Sequence, residues 1–145
     1  MKRIQRQRTK GWRMPEGAIY IGRPSLWGNP WTVRDMGSVY GIPAVERAAA
    51  AVRQYRAELQ HFGLLSDYDY VVSEAKWLAT SHDIERVGAR SMAEYAPHVL
   101  RGRDLVCWCR LCAAHAEGKP VGVACLDCEP CHADVLLDLS NLETT

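Results

Sequence analysis

The order of hydrophobic and polar positions along the chain predicts two short strands near its two ends. The segment Ala18 to Gly22 is an apolar run bounded by glycines, and Arg103 to Cys109 contains a second one. Short runs of this kind are typical of buried strands. Because successive side chains of a strand point to opposite faces, Leu105, Cys107 and Cys109 are expected on one face.

Helical periodicity is clearest between Pro43 and Phe62, where Pro43 suits a first turn and an alanine run favours helix. The predicted buried stripe of this helix is Val45, Val52, Tyr55, Leu59 and Phe62. The segment Cys131 to Asn141 predicts another helix, with a core stripe of Val135, Leu136, Leu139 and Leu142. Weaker helical segments are predicted at Tyr70 to Thr80 and at Ser91 to Leu100.

A strand, a loop and a helix at each end of the chain predict an α/β fold. A length of 145 residues suits one domain. We therefore expect a small single domain over residues 1–145, with a short Rossmann-like sheet, flanking helices and a cysteine-rich zinc loop. Within it, residues 1–14 are predicted to form a basic N-terminal arm, and residues 107–132 a cysteine-rich metal-binding insertion.

Charge is distributed unevenly along the chain, although the net charge is only +1. Residues 1–23 carry seven basic residues and one acidic residue. Such an arm could contact a phosphate backbone or an anionic ligand, or it could be a solvated terminus. There is no apolar run of the ~18 residues that a membrane span needs, and no signal-peptide core. We expect no membrane partner and a cytoplasmic location.

All six cysteines lie between Cys107 and Cys131. In a reducing compartment, clustered cysteines bind metal more often than they form disulfides. Two Cys-x2-Cys pairs separated by twelve residues have the spacing of a four-cysteine zinc site. The predicted cofactor is a structural Zn(II) ion, since four protein ligands leave no position for water. Its predicted ligands are Cys109, Cys112, Cys125 and Cys128.

A different set of ligands is also compatible with the sequence, namely Cys107, Cys109 and Cys131 with either His132 or His115. Cys131 begins a predicted helix, where the dipole lowers a thiol pKa, so it is a candidate nucleophile. His132 and Asp134 in the same first turn are candidates for acid and base catalysis. The alternatives are a structural ligand at Cys131, helix capping, or an anion bound at the helix end.

The loop from Gly22 to Trp31 is rich in turn-forming residues and tryptophan. Arg23 and backbone N–H groups could hold a phosphate, and Asn29 could contact a base or ribose. The alternative is a loop that wraps the core and buries its tryptophans. The spacing matches neither a Walker nor a dinucleotide motif. The candidate ligand-binding residues are Arg23, Ser25, Trp27, Gly28, Asn29 and Trp31.

Three long segments of the chain resemble a known family. They are "RIQRQRTKGWRMPEGAIYIGRPSLWGNPW", "LRGRDLVCWC" and "PCHADVLLDLSN". They resemble the phage and bacterial family catalogued as domain of unknown function 4326. The resemblance implies a protein commonly encoded by phages, which would place it in the host cytoplasm, and it implies no established activity.

The family pattern and this sequence differ in the loop between the Cys-x-Cys strand and the Cys-His helix. The resemblance implies a shared set of Cys107, Cys109, Cys131 and His132. In this chain the loop is longer, and the additional residues include Cys112, Cys125 and Cys128. The four-cysteine site is therefore expected to be specific to this member or its subgroup, and Cys109 belongs to both sets.

These observations lead to two functional hypotheses from different classes. The first is a phage-type zinc protein that binds or processes a nucleotide, nucleoside or nucleic-acid base, with N-glycosidic bond chemistry as the favoured reaction. The pocket would lie between Arg23–Trp31 and the helix that starts at Cys131. The second is a non-catalytic module that binds nucleic acid or a host protein and contains a structural zinc.

Overall fold

A four-stranded mixed sheet forms the centre of the protein, seen in a computed structural model that describes residues 1–23, 25, 27–29, 31–62, 86–88 and 92–141. Its spatial order is β2-β3-β1-β4. Strand β3 pairs in parallel with both β1 and β2, whereas β4 pairs antiparallel with β1. The strands are β1 (Lys2–Gln5), β2 (Ile19–Tyr20), β3 (Leu105–Cys107) and β4 (Lys119–Pro120).

Strand β1 is an interior strand, although its residues had been expected to belong to a basic arm. Arg3 pairs with Leu105 of β3 and with Lys119 of β4, and its own side chain is 0% exposed. The polar groups of this strand have specific partners. The Lys2 backbone N–H donates to Asp104 Oδ1 at 3.0 Å, and Gln5 Oε1 accepts from the Leu111 N–H at 2.8 Å.

The helices agree with the predicted periodicity at three places. The structure describes four α-helices, α1 (Val33–Ser38), α2 (Arg47–Phe62), α3 (Met92–Leu100) and α4 (His132–Asn141). A 3₁₀ turn, Ala44–Glu46, precedes α2, so the predicted helix from Pro43 is confirmed in two parts. Helices α3 and α4 confirm two further predictions. Helix α1 had not been predicted, and the predicted helix 70–80 lies outside the described residues.

The core forms where α4 packs against β1 and β3 and against helices α2 and α3. Of the predicted stripe on α2, Tyr55 and Leu59 are buried, and Val52 packs against the core. The prediction for Val45 is wrong, because its side chain is 94% exposed. Val45 lies in the 3₁₀ turn, where the residue spacing differs from that of the α-helix that follows.

The strands and helices together make a small α/β domain, as predicted from the sequence. The carboxyl ends of the three parallel strands meet at one edge of the sheet, and α4 begins beside them. In open α/β sheets, ligands bind at this edge. Within the described part of the chain, no helix is sufficiently long and apolar to cross a lipid bilayer.

Candidate functional site

Between β3 and α4, a loop from Arg110 to Glu129 carries three of the six cysteines and is closed at its base by these two residues. The Glu129 N–H donates to the Arg110 carbonyl oxygen at 2.9 Å. In return, the Arg110 N–H donates to Glu129 Oε2 at 2.8 Å. Arg3 binds the same base, since its Nη2 donates to the Glu129 carbonyl at 2.6 Å and to the Arg110 carbonyl at 3.3 Å. The loop is thus attached to strand β1.

The loop brings together four potential metal ligands, Cys112, His115, Cys125 and Cys128, which we call the loop group. Cys112 Sγ lies 3.8 Å from Cys125 Sγ and 3.6 Å from Cys128 Sγ. His115 Nδ1 lies 3.4 Å from the sulfurs of both Cys112 and Cys128. Their ligand atoms all lie within 4.8 Å of one another, so this group could hold a metal ion.

The loop group contains three of the four cysteines expected from the Cys-x2-Cys spacing, with His115 in place of Cys109. A 3₁₀ turn at Ala113–His115 folds the histidine back beside Cys112. The sequence held a signal for this arrangement, because Cys112 and His115 have a Cys-x2-His spacing. Cys109 lies elsewhere in the structure.

A second set of potential ligands, which we call the cleft group, consists of Cys107, Cys109 and Cys131. Cys107 ends β3, and Cys131 directly precedes α4. The Cys131 thiol donates to Cys107 Sγ at 3.2 Å, and the Ala133 N–H donates to Cys131 Sγ at 3.4 Å. This group could also hold a metal ion, and it contains the three cysteines of the alternative ligand set.

The cleft group favours one thiolate at Cys107. Hydrogen bonding with Cys109 and Cys131 lowers the pKa of Cys107 to about 3, and the positive charge of Arg3 acts in the same direction. Hydrogen bonding with Cys107 raises the pKa of Cys109 to about 12. Burial raises the pKa of Cys131 well above its usual value. The lowered pKa expected for Cys131 at a helix start is therefore found at Cys107 instead.

His132 is a buried, neutral side chain beside the cleft group. Its Nε2–H donates to the Ile21 carbonyl oxygen at 2.8 Å, which leaves Nδ1 as the unprotonated nitrogen, 3.9 Å from Cys131 Sγ. The Tyr55 ring packs against it with a centroid distance of 5.0 Å. Burial lowers the pKa of His132 from its ordinary value, so the imidazole is uncharged at neutral pH.

Asp134 is separated from His132, although the two had been predicted to act as an acid and base pair. Its Oδ2 accepts from Arg3 Nη1 at 2.9 Å and from Lys119 Nζ at 3.0 Å. Residues two apart on a helix do not face each other. The structure consequently does not bring the two side chains together, and Asp134 lies in an ion-pair network on another face of α4.

A cleft of about 240 Å³ lies at the carboxyl ends of β2 and β3. It brings together Arg23, Asn29 and Trp31 with Cys131 and His132, which had been predicted from distant parts of the chain. Two further residues of the cleft, Trp108 and Glu129, had not been predicted. The cleft-lining residues include Tyr20, Arg23, Asn29, Trp31, Trp108, Glu129, His132 and all three cysteines of the cleft group.

The remaining predicted residues of the N-terminal loop have other positions. Trp27 is buried in the core, and its ring stacks on Tyr95 at a centroid distance of 5.9 Å. Ser25 and Gly28 are not among the cleft-lining residues that the structure describes. Gly28 packs closely against Arg23, because a Cβ atom at this glycine would come within 2.8 Å of Arg23 Cγ.

Two exposed arginines lie over aromatic rings at the rim of the cleft. The Arg6 guanidinium carbon is 4.9 Å from the centre of the Tyr20 ring and 5.0 Å from that of Trp108. Arg8 lies 5.0 Å from the Trp108 ring centre. Trp108 is still 42% exposed. Together with Arg23, these residues make the rim of the cleft basic and aromatic.

Comparison with known proteins identifies one family. Its description is "domain of unknown function (DUF4326)", and its sequence pattern matches residues 4–142. Comparisons with curated proteins and with solved structures gave no match. The matched range includes the cleft, both cysteine groups and all of the helices. The chain therefore belongs to the domain of unknown function 4326 family.

Proposed function

We propose that the cleft binds a nucleoside or nucleotide. The observation that carries this proposal is the combination in one cleft of aromatic rings, an exposed guanidinium, a carboxylate and a neutral imidazole. Ligand pockets are commonly apolar or aromatic with a few polar groups that fix orientation. A volume of about 240 Å³ is small for a ligand pocket, and it suits one nucleoside with its phosphate at the rim.

In this proposal each part of the ligand has its own partner. Arg23 would pair with the phosphate, because a guanidinium binds phosphate through parallel hydrogen bonds. Trp108, which is 42% exposed, would stack on the base, since aromatic faces accept any base, whereas Trp31 is buried in the wall of the cleft. Asn29 would support the loop instead of contacting the ligand, because its amide already donates to the Ala51 carbonyl and accepts from the Trp31 N–H.

The reaction that we assign to this ligand is cleavage or transfer at the N-glycosidic bond. The bond between the sugar carbon and the base nitrogen breaks, water or the nitrogen of a second base bonds to that carbon, and the released base takes up the proton that the incoming group loses. A carboxylate near the sugar can stabilise the positive charge that develops when a glycosidic bond breaks. Glu129 lines the cleft and its Oε2 accepts only a backbone N–H, that of Arg110, among the described contacts, whereas the carboxylate of Asp134 is paired with the cations Arg3 and Lys119. We therefore propose Glu129 as the carboxylate of the reaction, with His132 as its neighbour in the cleft.

We further propose that the loop group holds a structural Zn(II) ion. With Zn–S bonds of about 2.3 Å and a Zn–N bond of about 2.0–2.1 Å, a tetrahedral zinc separates two sulfurs by about 3.8 Å and sulfur from nitrogen by about 3.5 Å. The sulfur–sulfur distances of 3.6 and 3.8 Å and the sulfur–nitrogen distances of 3.4 Å support this. Four protein ligands leave no open position.

Isothermal titration calorimetry with a panel of nucleosides and their 5′-monophosphates tests the ligand proposal. We expect one bound monophosphate per chain and a weaker matching nucleoside. Arg23→Gln should lower the affinity for the monophosphate by roughly 10- to 100-fold, since a hydrogen bond to a charged group contributes about 1.5–3 kcal/mol. Arg13→Gln, at an exposed position that is not among the cleft-lining residues, is the matched control.

The reaction is tested separately by chromatography of the bound compound after incubation with the protein. We expect release of the free base by the wild type and at least about 100-fold slower release by Glu129→Gln, which is the usual size of the rate loss when a catalytic acid or base is removed.

The two experiments fail in different ways. Equal heats of binding in calorimetry for all compounds and for both arginine variants would contradict the ligand proposal. Full turnover by Glu129→Gln would contradict only the assigned role.

A second candidate function is binding of single-stranded nucleic acid along the rim. The stacking of Arg6 and Arg8 on Trp108 favours it, because such proteins combine basic grooves with aromatic platforms. Arg3 takes no part, since its side chain is buried. Affinity for an oligonucleotide should fall steeply with salt and fall again in Arg6→Gln/Arg8→Gln. An affinity that is unchanged by salt and by Arg6→Gln/Arg8→Gln would exclude this candidate.

A further inference from the structure

The three cysteines of the cleft group line the cleft, whereas the residues of the loop group are not among its lining residues. A metal ion bound by the cleft group could therefore contact a ligand in the cleft. We infer that Cys107, Cys109 and Cys131 hold a second thiophilic metal ion, of the Zn(II) class, whose fourth coordination position opens into the cleft. This inference does not depend on the ligand being a nucleotide.

The geometry of the three sulfurs carries the first step. Two lie at the end of β3 and just beyond it, and the third precedes α4, so rigid elements hold them from both sides. Their sulfur atoms lie within 4.8 Å of one another, a range that includes the spacing of ligands around one ion. Thiolates select soft or borderline metals such as Zn(II) over Mg(II) or Ca(II).

The open position follows from the absence of a fourth donor. Among the described residues, no histidine or carboxylate joins the three sulfurs within the same range. His132 is the nearest imidazole in sequence, but its Nε2–H is engaged by the Ile21 carbonyl, and only its Nδ1 faces Cys131. Sites with three protein ligands and an open position are typical of zinc that binds water or substrate.

The charges around the cleft group suit three thiolates on a divalent ion, which together carry a net negative charge. The Arg3 guanidinium is fully buried, and its charge acts on all three cysteines. Its Nε has no hydrogen-bond partner in the described part of the chain. The Ala133 N–H also donates to Cys131 Sγ, which favours the thiolate. A buried cation and a backbone N–H thus compensate the excess charge.

The proposed ion would give the cleft a coordination site for an oxygen, nitrogen or sulfur donor of a small ligand. Glu129 and His132 line the same cleft. Glu129 Oε2 accepts from the Arg110 N–H and His132 Nε2–H donates to the Ile21 carbonyl, which leaves Glu129 Oε1 and His132 Nδ1 for water or ligand at the open position. In sites of this kind the metal polarises a bound group or lowers the pKa of bound water. The class of ligand is a small molecule with a Lewis-basic atom.

Native mass spectrometry of the full chain with Zn(II), using variants that separate the two groups, tests the inference. The wild type should bind two zinc ions per chain, and Cys112→Ser/Cys128→Ser should bind one. Adding Cys109→Ser to that variant should lower the affinity for the remaining zinc ion by at least about 100-fold. Loss of a residue that only hydrogen-bonds a metal ligand already lowers metal affinity roughly 10- to 100-fold, and loss of a ligand should cost more. Adding Ala114→Ser, at an exposed position of the loop, should change nothing.

The open position needs a readout of its own. We would load the Cys112→Ser/Cys128→Ser variant with Co(II) and add imidazole. An open site should change its visible spectrum on addition, whereas a closed site should not. If that variant does not fold, Cys109→Ser in the otherwise native chain tests the zinc count, with one zinc expected against two. The response to imidazole is then the difference between the Co(II) spectra of the wild type and of this variant.

Three results would overturn the inference. They are a folded loop variant without zinc, a cobalt spectrum that does not change on addition of imidazole, or a mass lower by two hydrogen atoms whose disulfide is assigned by peptide mapping to Cys107 and Cys131. Any of them would leave the proposed function standing if calorimetry still detected nucleotide binding. Failure of nucleotide binding with two zinc ions present would contradict only the proposed function.

Discussion

The loop group and the cleft group use the same chemical donors in two different surroundings. The loop group has four donors on a segment that exposes apolar side chains, since Leu126 is fully exposed and Val123 is also exposed. The cleft group has three donors that are supported by the sheet and by α4. As proposed metal sites, the two groups would differ in what holds them: four ligands for the loop group, and the sheet with α4 for the cleft group.

The two groups are physically connected through Arg3. Its guanidinium binds the carbonyls of Arg110 and Glu129 at the base of the loop, and its Nη1 donates to Asp134 on α4. The same charge acts on the cysteines of the cleft group. A single buried side chain therefore fixes the loop base, the first turn of α4 and the charge beside the cleft.

Removal of the metal that we propose for the loop group should have the largest effect on stability. For Cys112→Ser/Cys128→Ser we expect a Tm lower by roughly 10 °C, because a ligand at a thousand times its Kd contributes about 4 kcal/mol. Cys109→Ser should lower Tm less, since the sheet and α4 already hold the cleft group. Differential scanning fluorimetry with added zinc measures both. Equal shifts would remove the distinction between the two groups.

Replacing the connecting cation should have the next largest effect. Arg3→Met leaves Asp134 with only Lys119 and frees two carbonyls at the loop base, so we expect a loss of about 3 kcal/mol in the free energy of unfolding. Urea unfolding provides the measurement. The exposed Arg13→Met is the control and should stay within about 0.5 kcal/mol of the wild type. If Arg3→Met also changes the free energy of unfolding by less than about 0.5 kcal/mol, Arg3 does not connect the two groups.

Two glycines of the loop allow a smaller, matched comparison. Gly118 has φ +125°, and a Cβ atom there would lie 2.5 Å from Lys2 Cδ of strand β1. Gly122 has φ +81° with nothing within 4 Å. We expect Gly118→Ala to cost about 2 kcal/mol and Gly122→Ala about 1 kcal/mol in urea unfolding. The reverse order would show that the loop does not pack on β1 as described.

The smallest effect is expected at the tip of the loop. Leu126→Ser should change the free energy of unfolding by less than about 0.5 kcal/mol, because this side chain is fully exposed. The core position Leu136→Ala should cost about 2–5 kcal/mol in the same urea experiment. A large loss at Leu126 would mean that apolar packing, and not the proposed metal, holds the loop.

Helices α2 and α4 and strands β2 and β3 could be predicted from the sequence because their apolar patterns are local. Strand β1 could not, since Lys2–Gln5 contains one apolar residue and a fully buried arginine. What makes it a strand is pairing with residues about a hundred positions away. Its partners decide its structure, and hydropathy carries no information about them.

The candidate site was predictable in its location but less so in its details. Turn-rich loops and a helix start marked Arg23, Trp31 and His132, which the structure brings into one cleft. The opposite placement of Asp134 follows from helix geometry and could have been anticipated. Glu129 could not, because its position in the cleft depends on how Arg110 closes the loop base.

The place of β1 in the sheet has a consequence for synthesis of the chain. Asp104, which accepts from the Lys2 N–H, lies 102 residues later in the sequence. On the ribosome, β1 is therefore made before its partners and stays unpaired until β3 and β4 have followed. Pairing across such a separation is slow, and exposed strand edges are prone to aggregation. Until β3 and β4 have been made, the polar side chains of Lys2, Arg3 and Gln5 would keep the unpaired strand soluble.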